Sequence, residues 1–144
     1  MNATMTIETK RLNIVTNIKF QNDDLLYPDT PDISDIFKIK SNDPEDGCFV
    51  FYDKKSGEKV GVIHFTDKRR EHEIKYTTED AFRRQGFMNE ALFEVLKLIF
   101  LNTSWSAVYA LINDNLPSVR TAKSVGFAED VKDNFGSWFI LRKP

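Results

Sequence analysis

This sequence of 144 residues has little cysteine, a small net charge and no long apolar run. A single cysteine, Cys48, excludes an internal disulfide and a metal cluster built from cysteines. The formal net charge of −2 gives no sign of a nucleic-acid partner, because proteins that bind nucleic acids usually carry a basic face. The most apolar stretch, residues 91–101, is interrupted by Glu94 and Lys97 and is too short to cross a bilayer.

The sequence also shows neither the pattern of a signal peptide nor that of a metal site. The first residues, MNATMTIETKRLNIV, contain no apolar run of signal-peptide length. No group of His, Asp and Glu has metal-ligand spacing, so we expect no metal. The composition, with 41% hydrophobic and 29% charged residues, is ordinary for a globular protein. We therefore expect a single cytoplasmic domain over residues 1–144, with neither a membrane nor a nucleic acid as partner.

The spacing of apolar residues predicts both strands and helices in one α/β domain. Alternating or β-rich runs predict seven strands, at Arg11–Ile18, Cys48–Tyr52, Val60–Phe65, Glu73–Thr78, Trp105–Ile112, Phe127–Asp130 and Ser137–Leu141. Helical spacing predicts a short helix at Ser34–Lys40, a long helix at Gly86–Asn102, and a third helix that Asn115 caps and Gly126 terminates. The segment Lys54-Lys55-Ser56-Gly57 lies between two of the strands and predicts a hairpin.

The most informative segment, residues 76–91, reads YTTEDAFRRQGFMNEA. In it a strand ends, and a basic loop with one glycine opens directly into the long helix. The start of a helix leaves backbone N–H groups unpaired beside the positive end of the helix dipole, which favours an anion such as a diphosphate. Gly86 allows the backbone to approach closely, and Arg83 and Arg84 add charge. The alternative is a helix that happens to begin with glycine, next to two solvated arginines.

A second segment, Asn113–Phe127, also begins a helix. Asn115 and Ser118 lie three residues apart, so both can project from the first helical turn. They could contact a ligand there, or they could serve only as capping residues. The residues alone leave both interpretations open.

Together these segments resemble the GNAT superfamily of N-acetyltransferases. The loop Arg83-Arg84-Gln85-Gly86-Phe87-Met88 resembles the signature Q/R-x-x-G-x-G/A of that family. Asn115-Leu116-Pro117-Ser118, with Gly126-Phe127 downstream, resembles the later N-x-x-S … G-F segment. Glu73-Ile74-Lys75-Tyr76 and Thr9-Lys10-Arg11-Leu12 are similar to two strands of the branch that acetylates ribosomal-protein N termini at serine or alanine. The pieces follow the family's order over residues 8–128.

The resemblance implies a mixed, mostly antiparallel sheet of six to seven strands with helices on both faces. It also implies acetyl-CoA as co-substrate and direct transfer of the acetyl group to a primary amine of a small molecule or of a protein N terminus. Backbone N–H groups of residues 84–89 would hold the diphosphate, and main-chain groups of residues 76–78 would pair with pantetheine like an added strand. The implied cofactor-binding residues are Tyr76, Thr77, Thr78, Arg83, Arg84, Gln85, Gly86, Phe87, Met88, Asn89, Asn115 and Ser118.

Transfer to an amine also requires a base for the amine and an acid for the departing thiolate. His72 and Glu73 are the candidate bases, and as strand neighbours they would face opposite sides of the sheet, so only one would reach the acceptor. Histidine exchanges protons near neutral pH, whereas a glutamate would have to be buried to do so. Many family members carry a tyrosine as acid where this chain has Ala122, and Ser118 is the substitute that we name. His64 is expected to be structural.

Several questions stay open from the sequence. Because Lys75 replaces a strand glycine and the acid tyrosine is missing, the chain could instead be a catalytically inactive acyl-CoA-binding module, and a third option is an interaction domain without a cofactor. Trp138 could belong to a homodimer face or to the core. An acidic segment could line a mouth for a polyamine, an aminoglycoside or a protein N terminus, or it could be a solvated loop. Its carboxylates are Asp23, Asp24, Asp29, Asp32, Asp35, Asp43, Glu45 and Asp46.

Overall fold

The computed structural model describes residues 5–16, 18–21, 24–26, 47–67 and 69–144. Within these ranges the strands are Met5–Glu8 (β1), Leu12–Thr16 (β2), Lys19–Gln21 (β3), Asp24–Leu26 (β4), Gly47–Asp53 (β5), Lys59–Thr66 (β6), Glu73–Thr78 (β7), Ala107–Leu111 (β8), Ala128–Asp133 (β9) and Gly136–Arg142 (β10). The α-helices are Phe87–Asn102 (α1) and Leu116–Ser124 (α2), and a 3₁₀ turn spans Asp80–Phe82.

Eight of these strands form one sheet, in the order β1-β2-β5-β6-β7-β8-β10-β9, and β3 and β4 form a separate hairpin. Neighbouring strands of the sheet are antiparallel except β7 and β8, which are parallel. A parallel pair needs a long crossover connection, and α1 provides it. The β5–β6 turn is closed by a hydrogen bond from the Gly57 N–H to the Asp53 carbonyl (2.8 Å), and Gly57 adopts the left-handed conformation that this turn requires.

The main core lies between the sheet and the two helices. One side of α1 is buried, through Phe87, Met88, Ala91, Leu92, Val95, Leu96, Ile99 and Phe100. These side chains meet Phe49, Phe51 and Phe65 of the sheet in one apolar cluster, to which α2 adds Ala122. Burying each large side chain stabilises the fold by about 1.5–3 kcal/mol, so this helix is anchored firmly against the sheet. Consequently the loop that precedes α1 has a rigid element behind it.

The predicted architecture is confirmed as a mixed, mostly antiparallel sheet flanked by helices, with eight strands in the main sheet where six to seven were expected. The strand predicted at Glu73–Thr78 coincides with β7. The helix α1 begins at Phe87, one residue after its predicted start, because Gly86 is its N-cap. β1 was not predicted, since four residues at a sheet edge give little pattern. The strand predicted over Arg11–Ile18 is limited to β2.

Two further expectations have different outcomes. Trp138 is 1% exposed, and its Nε1 donates a hydrogen bond to Asp133 Oδ2 (2.7 Å), so it belongs to the core and offers no surface for a dimer. The helix predicted at Ser34–Lys40, and the side chains of the acidic segment over residues 23–46, lie outside the part of the chain that the structure describes.

Candidate functional site

The gap between β7 and β8 is the first feature of the candidate site. In the register of these two strands Glu73 pairs with Tyr109. The structure describes every residue from Glu73 to Thr78 and from Tyr109 to Leu111, and none of those beyond this first pair continues the pairing. On its other side β7 is paired with β6 along its whole length. The strands therefore separate towards their C-terminal ends, and one edge of β7 is left open. An open strand edge can accept an extended ligand by main-chain hydrogen bonds.

The start of α1 lies just beyond the open end of this gap. Gly86 is the N-cap residue and has φ 76°, in the left-handed region that favours glycine. A Cβ at Gly86 would approach only Arg11 Nη2, at 3.5 Å, so it is the backbone conformation and not crowding that calls for glycine. No side chain caps this helix, so its first N–H groups point towards the loop without an acceptor. Together with the dipole of a 16-residue helix, they form a site suited to an anion.

The loop side chains divide into those that hold the loop and those that are free to meet a ligand. Arg83 donates to the Thr78 carbonyl (3.2 Å) and forms an ion pair with Asp80 (3.0 Å). Gln85 donates through Nε2 to the Ala81 carbonyl (3.1 Å). Arg84 is exposed, has φ 64°, and none of the ion pairs or hydrogen bonds among the described residues engages its guanidinium. Of the two loop arginines, Arg84 is therefore the one whose guanidinium is left free by these contacts.

Other predicted cofactor residues contribute only through their backbone. Phe87 and Met88 are buried in the main core, with 7% and 6% of their surface exposed. Their side chains are thus committed to packing, and only their N–H groups remain for a ligand. Asn89 is half-buried in the first turn of the helix.

A contact that sequence reasoning missed holds this loop from behind. Arg11 donates through Nη1 to the Gln85 carbonyl (2.8 Å) and through Nε to Glu90 Oε1 (2.8 Å). Its guanidinium also lies over the Phe87 ring, 4.1 Å from the centroid. Burial by itself raises the pKa of the Glu90 carboxyl, but hydrogen bonds from Thr9 and Arg11 outweigh burial and hold that pKa below its usual value. In the sequence, the segment Thr9-Lys10-Arg11-Leu12 was singled out only for its resemblance to a family strand. Nothing in it indicated that Arg11 would contact Gln85 and Glu90.

The start of α2 faces the same gap. Asn115 is its N-cap, and Asn115 Oδ1 accepts a hydrogen bond from the Ser118 N–H (3.1 Å), so the expected capping chemistry is present. The Ser118 carbonyl accepts a hydrogen bond from the Tyr76 hydroxyl (2.8 Å), which joins β7 to α2. Burial raises the pKa of the Tyr76 phenol, so it is a neutral donor. Ala122, the position of the missing tyrosine, is fully buried.

The two candidate bases lie at the closed end of the gap. His72 has φ 61° and belongs to the turn before β7, so the assumption that the two residues alternate along a strand was wrong. Its imidazole stacks on Trp105 with the ring centroids 3.8 Å apart, and its Nε2 is 3.4 Å from Glu71. Glu73 is 0% exposed, and Arg69 contacts both of its carboxylate oxygens.

Three further observations concern His64, membrane-spanning helices and metal sites. His64 Nδ1 lies 3.3 Å from the Sγ of Cys48 on the neighbouring strand, away from the loop. Among the residues that the structure describes, no helix is long and apolar enough to cross a membrane. The same residues contain no group of three or more His, Cys, Asp or Glu side chains that could hold a metal ion.

Known proteins similar to this chain are acetyltransferases. A family model described as acetyltransferase (GNAT) domain matches residues 20–128. A GNAT-family acetyltransferase from Bacillus anthracis has a TM-score of 0.64 and 19% identity, over 96% of this chain and 99% of that one. The ribosomal-protein-S5-alanine acetyltransferase from Vibrio fischeri has a TM-score of 0.64 and 14% identity, over 96% and 97%. The spermidine N-acetyltransferase from Vibrio cholerae, solved with CoA and spermine, has a TM-score of 0.57 and 15% identity, over 81% and 77%. No curated protein matches this sequence.

Proposed function

The chain belongs to the GNAT family of acetyltransferases, and on that basis we propose that it transfers the acetyl group of acetyl-CoA directly to a primary amine. The observation that carries the proposal is the uncapped start of α1 behind Gly86, placed at the open end of the β7–β8 gap. The first feature suits a diphosphate, and the second suits an extended arm that leads away from it.

The cofactor would lie along β7. Backbone N–H groups of residues 84–89 would hold the diphosphate, with Arg84 adding charge. The open edge of Tyr76, Thr77 and Thr78 would pair with pantetheine, while Asn115 and Ser118 at the start of α2 would border its other side. From Glu73 to Thr78 the strand spans about 17 Å at the usual rise per residue, so the arm would lead from the loop towards the closed end.

The reaction would be a direct acyl transfer. The amine nitrogen attacks the thioester carbonyl and forms the C–N bond, the C–S bond breaks, the amine gives up one proton, and the thiolate of CoA takes one up. We propose His72 as the base, because a base must return its proton to solvent and Glu73 is fully buried with both oxygens engaged by Arg69. Ser118 stays the proposed donor to the sulfur, through its side chain.

The cofactor proposal can be tested by calorimetric titration of CoA into the unchanged protein, Gly86→Asn and Gly86→Asp. Both side chains tolerate the left-handed conformation and have the same size, but only aspartate places a negative charge at the diphosphate site. We expect about tenfold weaker binding for Gly86→Asn and about 100-fold weaker binding for Gly86→Asp, a difference that follows from charge repulsion. An unchanged protein that is folded and does not bind CoA would overturn the proposal.

The acceptor is tested separately, by release of free thiol from acetyl-CoA in the presence of different amines. A panel with a polyamine, an aminoglycoside and a peptide with a free alanine N terminus covers the amine classes considered. Acetylation of each class is named for a protein of similar structure. Thiol release with one class supports transfer and identifies the acceptor. Tight CoA binding with no release for any amine would instead favour the inactive acyl-CoA-binding module.

A further inference from the structure

We propose that Arg11 is a positioning residue for the diphosphate loop, defined here as residues 83–86. In this role Arg11 does not touch the cofactor but holds the loop in the conformation that receives it. The inference rests on the proposed function, since it concerns the same cofactor site. It assigns a role in CoA binding to the turn between β1 and β2, more than 70 residues away in sequence from the loop.

The side-chain contacts of Arg11 converge on this loop and on the helix behind it. Its Nη1 donates to the Gln85 carbonyl at 2.8 Å, and its Nε donates to Glu90 Oε1 at 2.8 Å. Its backbone N–H donates to Glu90 Oε2 at 2.9 Å, and Thr9 Oγ1 donates to the same oxygen. The guanidinium plane covers the ring of Phe87. One side chain therefore joins the loop, the first turn of α1 and the end of the β1–β2 turn.

The loop needs such support because its own interactions are weak. Arg84 has φ 64° without being glycine, a conformation that costs about 1 kcal/mol or more unless the surroundings enforce it. The side-chain bonds of Arg83 and Gln85 reach back only to residues 78–81, so they join the loop only to the stretch of chain just before it. Among the contacts described for residues 83–86, the bond from Arg11 to the Gln85 carbonyl is the one that reaches a distant part of the chain.

Arg11 differs from Arg84 in how it would affect CoA. The positive charge of Arg11 is balanced by Glu90 at 2.8 Å, so Arg11 adds little net field at the anion site and acts through geometry. Arg84 has no partner among the described residues, so it acts through its charge. Salt screens a charge effect at an exposed site much more than it changes a positioning effect. The two arginines therefore predict different responses to ionic strength.

The test is calorimetric titration of CoA at low and high salt into the unchanged protein, Arg11→Lys, Glu90→Gln, the double variant and Arg84→Ala. Lysine keeps the charge and much of the stem but cannot donate to Gln85 and Glu90 together in a fork. We expect CoA to bind Arg11→Lys about tenfold more weakly at both salt concentrations. The double variant of Arg11→Lys and Glu90→Gln should bind CoA no more than about twofold more weakly than the weaker of the two single variants, because the two residues form one unit. For Arg84→Ala we expect a loss that shrinks at high salt.

A matched control separates positioning from general stability. Arg70 is also an arginine that pairs with a carboxylate, Asp130 at 3.2 Å, and stacks on a ring, Tyr109 at 4.2 Å, but it lies away from the loop. We expect Arg70→Lys to lower the unfolding temperature and to leave CoA affinity unchanged within about twofold.

Three outcomes would overturn the inference alone while the unchanged protein binds CoA. These are unchanged affinity in Arg11→Lys and Glu90→Gln, an equal loss in Arg70→Lys, and an Arg11→Lys loss that disappears at high salt. If the unchanged protein does not bind CoA, the proposed function fails and the inference fails with it.

Discussion

The two ends of β7 differ in how completely their polar groups are satisfied. At the end near Thr78, the loop and the start of α1 present N–H groups without acceptors and an exposed Arg84. At the other end, near Glu73, a fully buried carboxylate is engaged on both oxygens by Arg69, and the backbone of His72 is held by Asp67 and Tyr109. The same strand thus connects an open, unsatisfied end to a closed, satisfied one.

This difference indicates what each end contributes. Buried polar groups that have partners help to specify the structure, and removing one partner of a buried ion pair leaves the charge of the other uncompensated. Polar groups that are exposed and aligned without partners cost the fold little and are available to a ligand. A cofactor would therefore gain most of its affinity at the loop end, while the closed end would fix the geometry in which the acetyl group meets the acceptor.

The largest expected effect on stability comes from making the same change at both ends. Glu73→Gln removes the charge from the buried pair with Arg69, and we expect the free energy of unfolding to fall by about 3 kcal/mol. Glu79→Gln, just beyond the other end, removes an exposed partner of Lys59 (3.0 Å) and should cost less than about 0.5 kcal/mol. Urea unfolding measures both values. Equal losses would show that the two ends do not differ in this respect.

The second expected effect concerns His72, the proposed base at the closed end. With an amine identified by the thiol-release panel, His72→Asn should lower kcat by about 100-fold, because the base is lost. Asparagine is chosen since it tolerates the positive φ of this position. His64→Gln, in β6, serves as the control and should leave kcat unchanged. An unchanged kcat in His72→Asn would exclude His72 as the base.

The smallest expected effect tests the support behind the loop by its pH dependence. Because the folded-state pKa of Glu90 is lowered, its charged form stabilises the fold above the usual glutamate pKa, and this contribution is lost as pH falls through the folded value. Glu90→Gln should therefore reduce the free energy of unfolding by about 1 kcal/mol at pH 7, and the difference should shrink as the pH falls below the usual glutamate pKa. Thermal unfolding across this range measures it. If the stability difference between Glu90→Gln and the unchanged protein does not vary with pH, Glu90 stabilises the fold through packing and not through its charge.

Local patterns were sufficient for much of the fold and for the loop. The strand Glu73–Thr78 and the helix up to Asn102 have apolar spacing that can be recognised within a few turns, and both were found. Gly86 was singled out for allowing close approach to the backbone, and its φ of 76° adds a conformational reason for glycine at this position. Asn115 was identified as a helix cap, and its bond to the Ser118 N–H confirms it. In each case the cause lies within four residues of the effect.

Features that depend on distant residues were missed or misjudged. The bond between Arg11 and Glu90 joins positions 79 residues apart, and no local pattern indicates it. His72 was assigned to a strand because the residues after it alternate, but its backbone is fixed in a turn by a bond from its N–H to Asp67 Oδ1 (2.9 Å). Arg83 was expected to serve the anion site with Arg84, and only the structure shows that it also contacts Thr78 and Asp80.

The sequence by itself determined most of the elements, their order and the loop–helix junction at Gly86, because helix starts, turns and apolar faces follow from short-range sterics and spacing. The tertiary structure decided where the gap opens, which arginine is free for a ligand and which carboxylate is closed off. These properties depend on the register of β7 against β8 and on ion pairs such as Arg69–Glu73, whose burial is set by strands and helices packing together. Burial and pairing are properties of neighbours in space, and the chain brings those neighbours together only when it folds.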